Sequence, residues 1–363
     1  MKKTITKKTL LRFPARSLAR FSAIILGAFC IALPLSTSSC HEVEEWDNNS
    51  VGNFDALWKL IDEHYCFFEE KGVDWNAVYK EFRPQVDNRV RREQLFDICS
   101  RMLDRLQDGH VNLSSPFATS YYKKWWTDYP QNYDARLVEQ YYFDFQYRQL
   151  GGISYGILPG NVGYMRYPSF EYTLGEGNLD NILYYLRFCT ALIIDVRDNG
   201  GGYMTAAEDL ISRFVRTRTL AGYIRHKTGP GHNDFSEPYA FYYDPPKGNH
   251  LGWLKPAVVL CNRSTFSAAN HFVAVMKQLP AVRIVGDVTG GGAGMPLSLE
   301  IPCGWGIRMS ACPVTDANGN LYEFGVEPSE GCKVDLDPLE ALNGKDTMLE
   351  RAIQVANSAT TWG

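Results

Sequence analysis

The sequence lacks the residue patterns of common metal and nucleotide sites. The seven cysteines that follow Cys40 contain no C-x-x-C pair, which argues against a structural zinc site. Four histidines also lack the spacing of metal ligands: His64, His226, His232 and His250. There is no G-x-G-x-x-G segment, and no Lys-Ser/Thr pair follows the glycines at 200–202 as it would in a P-loop. We therefore expect neither a metal ion nor a cofactor.

Basic residues are scarce once the N-terminal region is set aside. Residues 1–39 carry seven Lys or Arg and no Asp or Glu. The rest of the chain then has 30 basic against 41 acidic residues, a net charge near −11. Such an acidic chain repels the phosphate backbone of DNA and RNA. We therefore expect no nucleic-acid partner.

The N-terminal region has the features of an export signal. The apolar run Phe21–Leu35 is too short to span a bilayer but fits the hydrophobic part of a secretory signal. Small residues then lead into Cys40, which resembles a bacterial lipoprotein signal. We predict a signal peptide over 1–39, lipidation of Cys40 and attachment to the outer membrane, on its periplasmic or surface face. An ordinary signal peptide cut nearby is the alternative.

The remaining chain divides by composition and periodicity. Residues 40–52 are polar and acidic and are predicted to form a flexible tether. Helical stripes predict an N-terminal helical module over 53–113, with Asp74 as one cap and Gly109 ending the last helix. An aromatic-rich connecting lobe follows over 114–160. Strands and helices alternate over 161–356, which predicts an α/β catalytic domain.

Export also bears on the cysteines. A disulfide can form in an oxidising compartment, and Cys303 with Cys312 is the pair to test first. Residues 217–256 are rich in Tyr, Pro and Gly and are predicted to be irregular.

Ser267 occupies the position of a catalytic serine. The apolar run Ala257–Cys261 predicts a buried strand, 262–265 a turn, and the segment from Phe266 a helix. Ser267 thus lies at a helix N-terminus, where free N–H groups and the helix dipole favour negative charge. That setting suits attack on a carbonyl, which leaves an oxyanion beside the attacking oxygen. The alternative is an ordinary residue of the first helical turn.

A second strand–turn–helix unit presents the glycines at 200–202. Without Cβ atoms, their backbone N–H groups can approach a ligand closely. One such amide, with that of Ala268, would make a two-donor oxyanion hole.

Three motifs resemble those of the tail-specific (carboxyl-terminal processing) and tricorn-core serine peptidases, and they occur in the order in which that family has them. They are Ile194-Asp-Val-Arg-Asp-Asn-Gly-Gly-Gly202, Asn262-Arg-Ser-Thr-Phe-Ser-Ala-Ala-Asn270 and Gly325-Val-Glu-Pro328. The resemblance implies an α/β, crotonase/ClpP-like ββα superhelix behind an N-terminal helical bundle. It places Ser267 at the nucleophile position and Gly201 and Ala268 at the oxyanion amides. The short interval between His110 and Asp195 leaves little room for a PDZ domain, so none is expected.

The resemblance also indicates which residue activates the serine. One branch of the family uses a lysine, but Gly292 stands at that position here. The tricorn-like branch uses a histidine in an Asp-x-His motif, which His110 matches. In that branch a Glu orients the histidine through a serine, and Gly109 replaces that serine here. Glu323 is the nearest match for the Glu, with Glu327 as the alternative.

Chemistry supports a histidine in this role. An unperturbed imidazole accepts a proton near neutral pH, so activity would rise through about pH 6–7. His271, one helical turn after Ser267, is predicted to be structural.

The resemblance therefore implies a serine endopeptidase acting on exported or extracellular polypeptides. A catalytically silent surface lipoprotein that binds peptides or glycans is the alternative. An esterase with the same machinery is a third possibility.

Overall fold

A computed structural model describes residues 46–175 and 177–358. The predicted signal peptide over 1–39 and the lipidation site Cys40 lie outside these residues. Within the described ranges, no helix is long and apolar enough to cross a membrane. The helices are α1 Ser50–His64, α2 Trp75–Phe82, α3 Arg92–Leu103, α4 Lys124–Thr127, α5 Ala135–Tyr141, α6 Asn178–Leu186, α7 Met204–Ser212, α8 Ala268–Lys277, α9 Pro338–Leu342 and α10 Thr347–Asn357. The strands are β1 Asn112–Ser114, β2 Thr119–Tyr121, β3 Arg148–Leu150, β4 Ile153–Leu158, β5 Val162–Arg166, β6 Ala191–Asp195, β7 Thr219–Ile224, β8 Tyr239–Tyr243, β9 Ala257–Cys261, β10 Val282–Gly286, β11 Gly294–Glu300 and β12 Gly306–Asp316.

The sheet that carries the turns of Gly201 and Ser267 has the strand order β10-β9-β6-β5-β4-β3. Strands β5, β6, β9 and β10 are parallel, and β3 and β4 extend the sheet antiparallel. Every residue of β6 and β9 is buried. Helices cover both faces of the sheet, which explains why these strands are continuously apolar. The predicted α/β class is confirmed.

A second sheet packs against the N-terminal helices. Its strand order is β2-β1-β12-β7-β8, and β11 also pairs with β12. Side chains of α1, α2 and α3 share one core with Trp305 and with Ile307 and Met309 of β12. Burial of this shared surface holds the N-terminal helices against the sheet.

Two local predictions need correction. The helical segment after α3 ends with Gln107 in the left-handed conformation (φ 48°), so Gly109 is not its cap. The stretch 217–256 is not irregular throughout, because it contains the paired strands β7 and β8. The predicted cap at Asp74 is confirmed, since its side chain accepts a hydrogen bond from Ala77 N.

The structural elements also cross the predicted domain boundaries. Asn49 caps α1, which starts at Ser50, and Trp46 packs on the N-terminal core. The described part of the predicted tether over 40–52 is therefore folded. Strands β3 and β4, inside the predicted lobe over 114–160, belong to the same sheet as β5.

The cysteines are unpaired in the structure. All seven that the described residues contain are free thiols, including Cys303 and Cys312. The predicted disulfide between these two is therefore not formed. Cys99 and Cys261 are buried among apolar side chains, as expected of small core residues.

Candidate active site

Ser267 lies in a tight turn between β9 and α8. Its backbone has φ 58° and ψ −122°, a conformation that L residues seldom adopt. The turn is held because Ser267 N donates to Gly291 O at 2.9 Å and Thr265 Oγ1 donates to Val196 O at 2.8 Å. Such a turn raises a serine hydroxyl above the backbone at a helix N-terminus.

His110 lies in the segment just before β1 and contacts this serine, which is far from it in the sequence. Its Nε2 lies 2.8 Å from Ser267 Oγ. The backbone is shaped by Asp108, whose Oδ1 accepts a hydrogen bond from His110 N at 2.7 Å. Imidazole Nδ1 is buried, and no protein group within the described ranges accepts from it. With Nε2 facing the hydroxyl as acceptor, Nδ1 carries the proton of the neutral ring.

Burial changes the titration expected for His110. The side chain is 3% exposed, and Phe266 lies against it with ring centroids 4.8 Å apart. Burial lowers the pKa of His110 to about 4, although the neighbouring Asp108 carboxylate raises it; Arg308 and Lys71 lower it further. The imidazole is therefore neutral at neutral pH, ready to accept a proton. The activity rise expected at pH 6–7 from an ordinary histidine moves to about pH 4.

Gly292, at the position of the family's lysine, adjoins the histidine ring. A Cβ built on Gly292 would lie 3.1 Å from His110 Cε1 and 2.7 Å from Phe266 Cε2. Its φ of +85° also disfavours any other residue. The imidazole thus occupies the space beside this turn.

The two predicted oxyanion amides differ in their hydrogen bonding. Ala268 N, at the start of α8, has no acceptor among residues 46–175 and 177–358. Gly201 N donates to Asn199 Oδ1 at 2.9 Å. A Cβ on Gly201 would lie 2.8 Å from Ser267 Cβ, so the glycine turn directly adjoins the serine. Of these two amides, that of Ala268 can donate to a new acceptor without giving up a bond.

Glu323 and Glu327 are clearly distinguished by the structure. Glu327 is exposed and pairs with Lys333 at 3.1 Å. Glu323 is 6% exposed, and its oxygens accept from Lys71 Nζ at 2.9 Å and Ala293 N at 2.7 Å. Neither carboxylate bonds to the imidazole of His110. Glu323 therefore belongs to the buried site, but without direct contact with His110 Nδ1.

Two residues of the site were missed by sequence reasoning. Asp108 is fully buried and accepts from Tyr65 and Ser310 hydroxyls at 2.9 Å. Lys71 lies 3.6 Å from the same carboxylate. The Asp-x-His spacing was a signal for Asp108, since an Asp side chain commonly accepts from the N–H two residues on. Lys71 had no local signal.

His271 is structural, as the sequence analysis predicted. Its Nε2 lies 2.7 Å from Tyr243 OH and its Nδ1 lies 2.8 Å from Tyr322 OH. Burial lowers its pKa to about 4. Both ring nitrogens are engaged, so His271 cannot serve Ser267.

A buried ion-pair network supports the glycine turn. Arg197 is fully buried and binds Asp195 at 2.7 Å and Asp346 at 2.8 Å. Asp346 also caps α10 through Met348 N and Leu349 N. The network joins the end of β6 to α10, at the start of the turn that carries Gly201. Removal of one charge from such a network leaves an unpaired buried partner.

Trp125 lines two cavities next to Phe266, the residue that packs on His110. Its indole stacks on Phe266 at 4.1 Å, and Gly109 and Gly290 lie beside it with no room for a Cβ. One cavity, of about 420 Å³, is polar and includes Lys71 and Glu323 in its lining. The other, of about 570 Å³, is lined mainly by aromatic and aliphatic groups of β1, β2, α4, β11 and β12. Trp125 and Phe266 line both cavities.

Replacing Trp125 with alanine is expected to hydrate His110. Water near the ring would reduce the desolvation that lowers its pKa, so the acid limb of the pH–rate profile should move upward, toward 6.5. The profile of kcat/KM measures this shift. Trp126→Ala is the matched control, because Trp126 contacts Trp125 and Tyr121 but does not stack on Phe266. An unchanged limb in Trp125→Ala would show that the indole does not shield the histidine.

No group of His, Cys, Asp or Glu side chains that could hold a metal ion occurs in the described part of the chain.

Comparison with known proteins identifies the family. Residues 161–330 match peptidase family S41, and residues 47–104 match the tricorn protease C1 domain. A crystal structure from Parabacteroides merdae ATCC 43184, described as a candidate peptidase, is 42% identical, with a TM-score of 0.80. That match covers 85% of this chain and 97% of the other.

Two further relatives are more distant. The carboxy-terminal processing protease CtpB of Bacillus subtilis (strain 168) is 25% identical over 145 residues, which are 39% of this chain and 28% of CtpB. Mature CPAF shares the fold, with a TM-score of 0.63 at 12% identity over 86% of this chain and 97% of that one. The chain thus belongs to peptidase family S41, the serine-type peptidases that include the tail-specific, carboxyl-terminal processing proteases.

Proposed function

We propose that this protein is a serine endopeptidase that hydrolyses exported or extracellular polypeptides with Ser267 as nucleophile and His110 as general base. The observation that carries the proposal is the 2.8 Å approach of His110 Nε2 to Ser267 Oγ at a helix N-terminus. A neutral imidazole at that distance can accept the hydroxyl proton as the oxygen attacks.

The reaction then follows from the positions of the donors. Attack of Ser267 Oγ on a peptide carbonyl forms a tetrahedral oxyanion, while the proton passes to His110 Nε2. Ala268 N donates to the oxyanion. Gly201 N becomes a second donor if its hydrogen bond to Asn199 Oδ1 breaks and it donates to the oxyanion instead. The imidazolium returns the proton to the leaving amine. Water then attacks the acyl-enzyme, with His110 accepting its proton, and the acyl group leaves as Ser267 Oγ takes the proton back.

A fluorophosphonate probe tests the nucleophile. We expect covalent labelling of the wild-type chain at Ser267, located by peptide mass spectrometry, together with hydrolysis of casein. Absence of both in folded protein would favour the catalytically silent binding protein. Labelling with hydrolysis of simple esters but not of peptides would favour the esterase.

The location of the protein is also a proposal. The basic, apolar leader and the small residues before Cys40 support export and a lipid anchor at the outer membrane. We expect the full chain to partition into detergent and Cys40→Ala to remain in the aqueous phase. A mature N-terminus other than lipidated Cys40, found by mass spectrometry, would contradict this.

A further inference from the structure

We infer that Lys71, in the turn between α1 and α2, is a positioning residue of the peptidase site that connects Glu323 to His110 through Asp108. The inference rests on the proposed function. It assigns a role in catalysis to the turn between α1 and α2, which supplies neither the serine nor the histidine.

Lys71 is held in place by contacts on several sides. Its ammonium lies 2.9 Å from Glu323 Oε1 and 3.6 Å from Asp108 Oδ2, and it donates to Gln107 O at 3.1 Å. Its side chain is 8% exposed, and those of Asp108 and Glu323 are 0% and 4% exposed. Gly72, with φ +63°, turns the chain directly after the lysine. A long, flexible side chain is ordered here only because these acceptors surround it.

The contacts of Lys71 connect Glu323 to His110, a connection that the tricorn-like pattern makes through a serine hydroxyl. Gly109 stands where the tricorn-like pattern has a serine, and a Cβ there would lie 2.6 Å from Trp125 Nε1. Glu323 therefore has no side chain at 109 through which to reach the histidine. The observed contacts run instead from Glu323 to Lys71, from Lys71 to Asp108, and from Asp108 to the backbone of His110.

The charges along this path explain why a cation is needed. Asp108 and Glu323 are two buried carboxylates, and together they would repel strongly in a medium of low dielectric. Lys71 leaves the group with one net negative charge while His110 is neutral. The remaining negative charge favours the imidazolium that forms when His110 accepts the serine proton, and Lys71 favours the ionised form of both carboxylates.

The titration of the neighbouring groups is consistent with this role. Burial, together with the Asp108 carboxylate, raises the pKa of Glu323 to about 7, and Lys71 opposes that rise. Burial raises the pKa of Tyr65 and of Cys66, so both are neutral near pH 7. Other titratable or charged groups near the cluster include Glu70, Tyr122, Arg308 and Cys312. Arg105, Lys124 and Asp128 line the same cavity as Lys71 and Glu323.

Lys71→Met is the test variant, and Lys71→Arg retains the charge. Lys71 lowers the pKa of both His110 and Glu323. Its loss should therefore move the acid limb of the kcat/KM profile to higher pH than in the wild type. We also expect kcat to fall by roughly 10- to 100-fold with little change in KM. Lys71→Arg should keep the limb within a few tenths of a unit.

Controls separate positioning from folding. Lys80→Met removes an exposed lysine of α2 and should leave kcat and the profile unchanged. A lower melting temperature for Lys71→Met with an unmoved limb would show a merely structural role and overturn the inference. In a Glu323→Gln background the effect of Lys71→Met should be smaller, since the two residues act along one path. Additive effects would also overturn it.

An NMR titration of the His110 imidazole distinguishes failure of this inference from failure of the proposed function. The measurement does not require activity, and Lys71→Met should raise the pKa of His110 relative to wild type. An active wild-type enzyme with an unmoved His110 pKa in Lys71→Met would refute the role of Lys71. A wild-type chain that is neither labelled nor active would instead refute the proposed peptidase.

Discussion

Replacing Ser267 with alanine is expected to lower peptide hydrolysis by about 10⁴-fold or more, the usual cost of losing a catalytic nucleophile. The reason is that no other hydroxyl lies at 2.8 Å from His110 Nε2 within the described residues. Casein hydrolysis and fluorophosphonate labelling measure the loss. Both should disappear together, since both need the same oxygen.

The fold of Ser267→Ala should remain intact. The serine backbone donates to Gly291 O and accepts from His271 N, and alanine keeps both bonds. The side chain makes no capping bond to α8, so we expect a melting temperature within a few degrees of wild type. Ser264→Ala, in the same turn, is the matched control and should remain active. Hydrolysis near the wild-type rate in Ser267→Ala would remove this serine from the mechanism.

Replacing His110 with alanine should have the second large effect. We expect kcat to fall by roughly 10³- to 10⁵-fold with a small change in KM, because the proton is accepted only as the transition state forms. Added imidazole should restore part of the rate, since the deleted ring leaves space beside Ser267. His250→Ala is the control, as His250 is partly exposed and pairs with Asp180 at 2.7 Å. Full activity in His110→Ala would refute the assignment. Among the histidines of residues 46–175 and 177–358, His271 is the one on α8, the helix that Ser267 precedes, and it cannot replace His110 because both of its nitrogens are bonded.

The pH dependence gives a further check on His110. Protonation of the imidazole removes the acceptor, so activity should fall as the pH drops through the pKa of His110, near 4. A second limb near pH 7 is expected if ionised Glu323 is needed, because its pKa is raised to about 7. A single limb at 6–7 that is also present in Glu323→Gln would mean that His110 titrates as an exposed histidine, contrary to its burial.

Much of the fold and of the site follows from local patterns in the sequence. Continuous apolar runs predicted β6 and β9, because parallel strands covered on both faces tolerate few polar residues. The strand–turn–helix pattern predicted the surroundings of Ser267, since a turn between a buried strand and a helix is local in the chain. The family motifs identified the tail-specific peptidases, a conclusion that the comparisons confirm. The Asp-x-His pattern of the tricorn-like branch predicted His110, which the structure brings to 2.8 Å from the serine.

The remaining features depend on contacts between distant parts of the chain. Strands β7 and β8 were missed because their residues are partly exposed and lack a clear alternation. Cys303 and Cys312, the pair to test first, are both free thiols, because a disulfide needs two sulfurs that meet in space and the sequence does not specify which cysteines do so.

The sequence by itself determined the family, the α/β class and the place of Ser267, because each depends on residues that are neighbours in the chain. The tertiary structure alone decided the electrostatics of the site. It buried His110 under Phe266, engaged Gly201 N with Asn199, and brought Lys71 from the N-terminal helices to the carboxylates of Asp108 and Glu323. Burial and charge depend on what packs around a group, and those neighbours lie tens or hundreds of residues away in the chain.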